Sequence, residues 1–137
     1  MLPPNESTFH LKVVGERTKK VYEGDFTAKC VLTNGETIEV GLKLDRYNGG
    51  STTLAPQFVL MNRVLAELEV RLKKSPEWWR ESDYSRTLQD QNVMYEVFKK
   101  AMEAEKAWTD KLNKESEEVE KKTEKKKKKE VEEALRQ

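Results

Sequence analysis

The sequence has few of the residues from which most catalytic and metal sites are built. It has one cysteine, Cys30, and one histidine, His10. An intramolecular disulfide is therefore impossible, and no Cys or His cluster has metal-ligand spacing. The glycine pair Gly49-Gly50 lacks the following Lys-Ser or Lys-Thr of a phosphate-binding loop. These absences argue against an enzyme, and they predict no cofactor, no metal and no small-molecule substrate.

Long apolar runs are also missing. No stretch approaches the roughly 20 apolar residues that a membrane helix needs, and the first residues, MLPPNEST, lack the basic and apolar regions of a secretory signal. Cys30 lies in an alternating apolar and polar run, which favours a small buried side chain over a reactive thiol. The lack of a disulfide fits a reducing compartment. We therefore expect a protein that stays in a cytoplasm without contacting the membrane.

Charge is abundant but balanced, and it is concentrated at the C-terminus. The net charge is +1, although 37% of the residues are charged. The segment 114–137 reads KESEEVEKKTEKKKKKEVEEALRQ, and its apolar residues are Val119, Val131, Ala134 and Leu135. Such a segment cannot bury a core. The sequence therefore predicts a flexible N-terminus over 1–8, a single α+β domain over 9–112 and a charged helical or disordered extension over 113–137.

The extension contains signals both for and against a helix. Glu and Lys residues three or four positions apart support a helix by roughly 0.2–0.5 kcal/mol per pair. A run of adjacent cations opposes it locally: Lys125, Lys126, Lys127, Lys128 and Lys129. We expect a helix that frays beyond about residue 120.

The lysine run has three interpretations. It is either a solvated part of the extension, an electrostatic contact with nucleic acid or an acidic partner, or a helix on a membrane surface. The membrane interpretation is disfavoured, because the segment lacks the apolar face that such a helix needs. Nucleic-acid binding is also disfavoured, since the predicted strands carry no aromatic pairs for stacking bases and the run lies far from Trp78 in sequence.

The first part of the domain has the alternating pattern of β-strands. Phe9, Leu11 and Val13 lie at alternate positions, and residues 15–19 supply a turn. A second apolar run, over residues 21–32, is interrupted at Gly24-Asp25, which indicates a bulge or two short strands.

A further strand is predicted after Asn34-Gly35, the strongest turn signal in the chain. These two residues accept the positive φ angles of a type I′ hairpin turn. The apolar residues that follow occupy alternate positions: Ile38, Val40, Leu42 and Leu44. The pattern predicts an antiparallel β-meander of three or four strands with one apolar face.

An amphipathic helix is predicted to cover the sheet. It begins near Pro56, because proline suits the first helical turn, and it ends before Ser75-Pro76, where Ser75 can cap a short new turn. Its apolar residues recur every three or four positions: Phe58, Met61, Val64, Leu65, Leu68 and Leu72.

A second long helix is predicted to begin between Leu88 and Val93, with Asp90 or Asn92 as its cap. Its apolar residues again follow helical spacing: Met94, Val97, Phe98, Ala101, Met102, Trp108 and Leu112. This stripe fades after Leu112, where the charged extension begins.

The tryptophans are the best candidates for contact with a partner. Trp78 and Trp79 are adjacent on a short turn, so they cannot both face the same core. Tryptophan buries a large area at little entropic cost and is enriched at binding hot spots. We therefore select Trp78 and Trp79, with Phe98 and Trp108 on the second long helix, as candidate partner-binding residues. The alternative is that they only pack at the end of a small core.

Several segments of the domain resemble small proteins from the structural gene clusters of tailed bacteriophages. A β-rich start leads through an Ala-x-Leu-x-Val-Arg helix to a Pro-x-Trp-Trp turn and a further helix with Glu105 and Trp108. The segments that carry the resemblance are Tyr22–Lys29 (YEGDFTAK), Asp45–Tyr47 (DRY), Leu65–Arg71 (LAELEVR), Pro76–Trp79 (PEWW) and Asp90–Val93 (DQNV). The lysine- and glutamate-rich extension lies outside this pattern.

The resemblance implies a non-enzymatic protein that takes part in phage tail assembly, similar to a tail assembly chaperone. Its partners would be other phage structural or assembly proteins, or copies of itself, in the host cytoplasm or the virion. Two alternatives stay open: a structural virion subunit, such as a decoration or head–tail joining protein, and a nucleic-acid-binding accessory protein that uses the lysine run.

Overall fold

The structure, a computed structural model, describes residues 4–136 and has the predicted α+β class. Three strands form one antiparallel sheet in the order β1-β2-β3. The elements in chain order are β1 (Glu6–Val14), β2 (Val21–Lys29), α1 (Asn34–Tyr47), α2 (Pro56–Arg71), β3 (Leu72–Lys74), α3 (Glu77–Glu81) and α4 (Gln91–Arg136).

The β1–β2 hairpin forms most of the sheet. Its register pairs Phe9 with Phe26, so odd-numbered residues of β1 and even-numbered residues of β2 share the inner face. Leu11 and Phe26 are almost fully buried on that face. The turn lies where the sequence predicts it, and it is closed by the N–H of Gly15, which donates to the carbonyl of Lys20 at 2.8 Å.

Strand β2 is continuous through Gly24, so the predicted interruption is wrong. A Cβ atom at this position would lie 2.3 Å from Cγ of Pro76 and 3.5 Å from Nε1 of Trp78. Gly24 is therefore required because the segment after β3 approaches the backbone of β2 closely. It does not break the strand.

Residues 34–47 form helix α1, so the strand predicted there is wrong. The Thr33 hydroxyl accepts from the N–H of Glu36 at 3.2 Å, and the Glu36 carboxylate accepts from the N–H of Thr33 at 3.0 Å. This capping box satisfies two backbone donors and begins a helix at Asn34-Gly35 instead of a hairpin turn. A hydrogen bond from Lys29 also lowers the pKa of the Glu36 carboxyl to about 2.

The third strand of the sheet is formed instead by Leu72–Lys74, directly after α2, so the prediction that the helix continues through Leu72 to Ser75 is wrong. That helix begins at Pro56, as predicted, and the chain passes at Leu72 directly into β3, which pairs with β2. Helix α3 follows after two residues. Pro76 occupies its N-cap position and no side chain caps it, so the capping role predicted for Ser75 is wrong.

The core lies between the inner face of the sheet and helices α2, α3 and α4. On α2, Val64 and Leu68 are buried as the apolar stripe predicts, whereas Phe58, at the start of the helix, is exposed. The buried core residues are Leu11, Phe26, Ala28, Val64, Leu68, Trp79, Met94, Val97 and Ala101.

Asp90 immediately precedes α4 and anchors the helix to the β1–β2 turn. Its carboxylate accepts from the N–H groups of Arg17 at 2.7 Å and Thr18 at 3.0 Å, the Thr18 hydroxyl at 2.5 Å and the Tyr22 hydroxyl at 3.1 Å. A Cβ atom on Gly15 would lie 2.2 Å from Oδ2 of Asp90, so only glycine permits this approach. We call these contacts the Asp90 anchor.

Asn92 reinforces the same junction. Its Oδ1 accepts from the N–H of Glu16 at 3.0 Å, and its Nδ2 donates to the carbonyl of Val14 at 2.9 Å. The sequence predicted Asp90 or Asn92 as a helix cap. Asp90 does lie directly before the helix, and its carbonyl accepts from the N–H of Val93 at 3.3 Å. Both side chains, however, bind the hairpin, because the turn needs acceptors for N–H groups that no strand satisfies.

Helix α4 runs without interruption from Gln91 to Arg136, in contrast to the fraying expected beyond about residue 120. At 1.5 Å per residue it is about 69 Å long. At the other end of the chain, β1 begins at Glu6, inside the segment expected to be flexible. Residues 1–3 and 137 of the predicted termini lie outside the described residues.

The Asp90 anchor predicts a specific loss of stability in acid. Its hydrogen bonds, foremost those from Thr18, lower the pKa of the Asp90 carboxyl from 3.8 to about 2. The anchor therefore stabilises the fold fully above about pH 4, and this contribution is lost as the pH falls toward about 2. We expect Asp90→Asn to lower the urea midpoint at pH 6 and to flatten its decline between pH 4 and pH 2.

The exposed carboxyl of Asp83 gives a matched control, since Asp83→Asn should preserve both the midpoint and its decline in acid. An Asp90→Asn variant with the same acid dependence as the unmodified protein would contradict the role of the anchor.

Candidate interaction surfaces

The two adjacent tryptophans on α3 have different surroundings. Trp79 is 1% exposed, and its ring meets that of Phe26 edge to face with centroids 5.4 Å apart. Trp78 is half-buried, and its Nε1 donates to the carbonyl of Glu23 at 2.9 Å. The Trp78 ring also contacts Phe26 and Trp79, with centroids 5.9 and 6.0 Å away, and it is only partly exposed. Both tryptophans therefore pack on the same core, so the prediction that they could not is wrong.

Trp79 cannot contact a partner while the domain is folded, because its side chain is part of the core. Phe98 is half-buried and packs against the same core from α4. Trp108 is also half-buried and lines a shallow groove beside Pro4 and Cys30. The four aromatic residues selected from the sequence thus do not form one exposed surface, although Trp78, Phe98 and Trp108 each keep some exposure.

The lysine run is exposed but does not form a basic face. Lys125–Lys129 lie on α4, where each residue turns about 100° from the last, so the five side chains surround the helix axis. Glutamates flank the run directly on both sides, Glu124 before it and Glu130 after it. A nucleic-acid interface needs cations on one side, so this arrangement disfavours nucleic-acid binding by the lysine run.

Sequence reasoning missed the exposed apolar residues of α1. Ile38 is 65% exposed and Leu42 is 66% exposed, and they lie one turn apart on the outward side of the helix. Val40, between them in sequence, is buried. If this segment formed a strand, Ile38, Val40 and Leu42 would all face the core. The Thr33-x-x-Glu36 capping box was the sequence signal that identifies a helix here.

Two apolar residues at the start of α2 are also exposed, Phe58 at 52% and Leu60 at 54%. The predicted stripe placed Phe58 on the sheet. Phe58 lies in the first turn of α2, ahead of the buried positions, so its side chain extends past the core. We refer to Ile38 and Leu42 as the α1 pair and treat it separately from these two residues.

The outer face of the sheet is polar apart from the exposed pair Val14 and Val21 next to the turn, and His10 lies on it between two carboxylates. Nδ1 of His10 is 2.7 Å from Asp25, and Nε2 is 3.0 Å from Glu23. Hydrogen bonds to Asp25 and then Glu23 raise the pKa of the imidazole above its usual 6.5. Cross-strand polar pairs of this kind align β1 with β2, which is a structural role.

Cys30 and Arg71 close the other end of the sheet. The Arg71 guanidinium is buried and donates to the carbonyl of Cys30 at 3.0 Å, and it lies 3.4 Å from the Glu105 carboxylate. Burial raises the pKa of the Cys30 thiol, which favours the unreactive protonated form. Arg71 therefore links α2, β2 and α4.

Within residues 4–136, no three His, Cys, Asp or Glu side chains are grouped in a way that would hold a metal ion. Among the same residues, every helix is too short or too polar to cross a membrane. No family model, curated protein or solved structure matches the chain. Because no match indicates a function, we infer one from the surface, where the α1 pair is the most informative feature.

Substitution of Trp79 should lower the free energy of unfolding much more than substitution of Trp78. Trp79→Ala should lower the free energy of unfolding by about 3–5 kcal/mol, because it leaves a cavity beside Phe26. Trp78→Phe keeps an aromatic ring and loses one hydrogen bond, so it should cost only about 1 kcal/mol. Urea denaturation of both variants measures the difference. Equal losses would show that the Trp79 ring is not the more deeply packed of the two.

Proposed function

We propose that this protein is a non-enzymatic interaction protein of a tailed bacteriophage that acts, like a chaperone, during tail assembly. The resemblance of Tyr22–Lys29, Leu65–Arg71 and Pro76–Trp79 to phage structural-cluster proteins supports the phage context. The exposure of the α1 pair is the observation that carries the interaction role.

The α1 pair provides free energy for binding another protein. Fully burying an Ile or Leu side chain contributes about 1.5–3 kcal/mol relative to leaving it exposed. Both side chains are about two-thirds exposed, so most of this contribution is still available to a partner. Two neighbouring apolar side chains on one helix fit the mode in which a helix docks in an apolar groove.

Helix α1 is held firmly enough to present the pair in one orientation. The Tyr47 hydroxyl donates to the Glu69 carboxylate of α2, and Nζ of Lys43 lies 3.6 Å from the same carboxylate. The Arg86 guanidinium lies over the Tyr47 ring, 4.5 Å from its centroid. Together with the capping box, these contacts fix both ends of the helix, so little conformational entropy is lost when a partner binds.

The test is co-expression of the chain with each virion protein encoded by neighbouring genes, followed by affinity purification. The unmodified chain should retain at least one tail protein. Ile38→Glu/Leu42→Glu should abolish retention, because two carboxylates cannot be buried in an apolar groove. Since both positions are exposed, the variant should keep the circular dichroism and cooperative unfolding of the unmodified chain.

The control is Glu39→Lys, an exposed charge change on the same helix that leaves the α1 pair intact. It should retain the partner. Retention by Ile38→Glu/Leu42→Glu at the level of the control would exclude the α1 pair as the docking surface. Failure to retain any tail protein would contradict the proposed role in assembly.

A further inference from the structure

The C-terminal half of α4 extends beyond the body of the protein. Side chains over residues 113–135 are exposed, and this segment continues the helix that packs on the sheet. We call residues 113–136 the arm, which is about 36 Å long at 1.5 Å per residue. A helix without a packed side is marginal in water, so any surface that covers one side of the arm would stabilise it.

Uncharged residues are confined to one side of the arm. With 3.6 residues per turn, they lie within an arc of about 160°, and the opposite side of the helix carries only charged residues. Leu112, where the arm begins, lies in the same arc. The uncharged residues, which we call the seam, are Asn113, Ser116, Val119, Thr123, Val131, Ala134 and Leu135. Val119, Val131 and Leu135 are all more than half exposed.

The charges of the arm form blocks of opposite sign. Glu115–Glu120 contains glutamates and no cation, whereas Lys121–Lys129 contains seven lysines and one glutamate. Two arms aligned in parallel would oppose lysine to lysine and glutamate to glutamate. Two antiparallel arms can instead place the acidic block of each copy against the basic block of the other. In such a pair, the acidic residues of Glu115–Glu120 are complementary to the basic residues of Lys125–Lys129 of the other copy.

We propose that the arms of two copies of this chain pair antiparallel along their seams. The register that aligns the apolar ends places Leu112 of one copy opposite Val131 of the other. The same register brings Glu115 beside Lys126 on one side of the pair and Glu117 beside Lys128 on the other, each with an axial offset of about 3 Å. Because the pair has twofold symmetry, each of these contacts occurs twice.

This pairing places the two domains at opposite ends of the paired arms. Each domain then presents its own α1 pair, so one dimer offers two equivalent docking surfaces and can gain avidity for an assembly with repeated subunits. The inference depends only on the arm and not on the proposed function. Loss of pairing and loss of partner docking are therefore separate results.

The test uses light scattering after size exclusion on the full chain at micromolar concentration and low salt. The unmodified protein should have twice the mass of one chain. An acidic variant (Lys125→Glu/Lys126→Glu/Lys128→Glu) and a basic variant (Glu115→Lys/Glu117→Lys/Glu118→Lys) should each self-associate roughly tenfold or more weakly, because their arms oppose like charges. Mixing the two variants should restore the dimer.

A triple Lys→Arg variant at the same three lysines is the control, because it keeps the charge and should remain dimeric. A monomeric unmodified chain would overturn the proposal. So would dimers of either charge-reversed variant that are as stable as those of the unmodified chain, or a mixture that stays monomeric.

Disulfide cross-linking tests the antiparallel direction. Ser116 of one copy should face Lys127 of the other, so oxidation of a mixture of Ser116→Cys and Lys127→Cys proteins should yield the mixed dimer. Cys30 can stay in place because it is buried. Efficient cross-linking of Ser116→Cys to itself would indicate parallel arms and overturn the proposal.

Discussion

The Asp90 anchor is the contact on which the arrangement of this molecule depends. One buried carboxylate, immediately before the first residue of α4, accepts two backbone N–H groups and a hydroxyl from the β1–β2 turn and the Tyr22 hydroxyl from β2. A turn whose N–H groups had no such acceptor would leave them unsatisfied against the helix. The anchor therefore sets where α4 begins relative to the sheet. Gly15 is the backbone position that makes room for it.

Because the Asp90 anchor fixes where α4 begins on the sheet, it also helps to fix the direction of the helix. The first part of the helix is held by core packing through Val93 and Val97 and by the buried guanidinium of Arg71 near Glu105. Since the helix is continuous to Arg136, the same constraint aims the arm away from the body. The molecule thus combines one packed domain, an exposed apolar pair on α1 and a charged arm whose orientation the domain determines.

The sequence predicted most elements correctly where one signal dominated, as at the Gly15 turn and at Pro56. It predicts a strand where α1 lies, because Asn34-Gly35 is typical of a hairpin turn and competes with the capping box between Thr33 and Glu36. Alternation then placed Ile38 and Leu42 in the core, which concealed the exposed apolar pair. Strand β3 is too short to show periodicity. The anchoring role of Asp90 could not be predicted, since its partners lie more than 65 residues away in sequence.

The most direct test of this account is a distance measurement by pulsed electron paramagnetic resonance within one chain. Spin labels would be placed at Lys20 in the hairpin and at Thr123 in the arm, with excess unlabelled protein to remove distances between copies. A single narrow distance distribution is expected, because the Asp90 anchor and a continuous α4 fix the arm relative to the sheet. A broad distribution would contradict the central claim that the domain sets the direction of the arm.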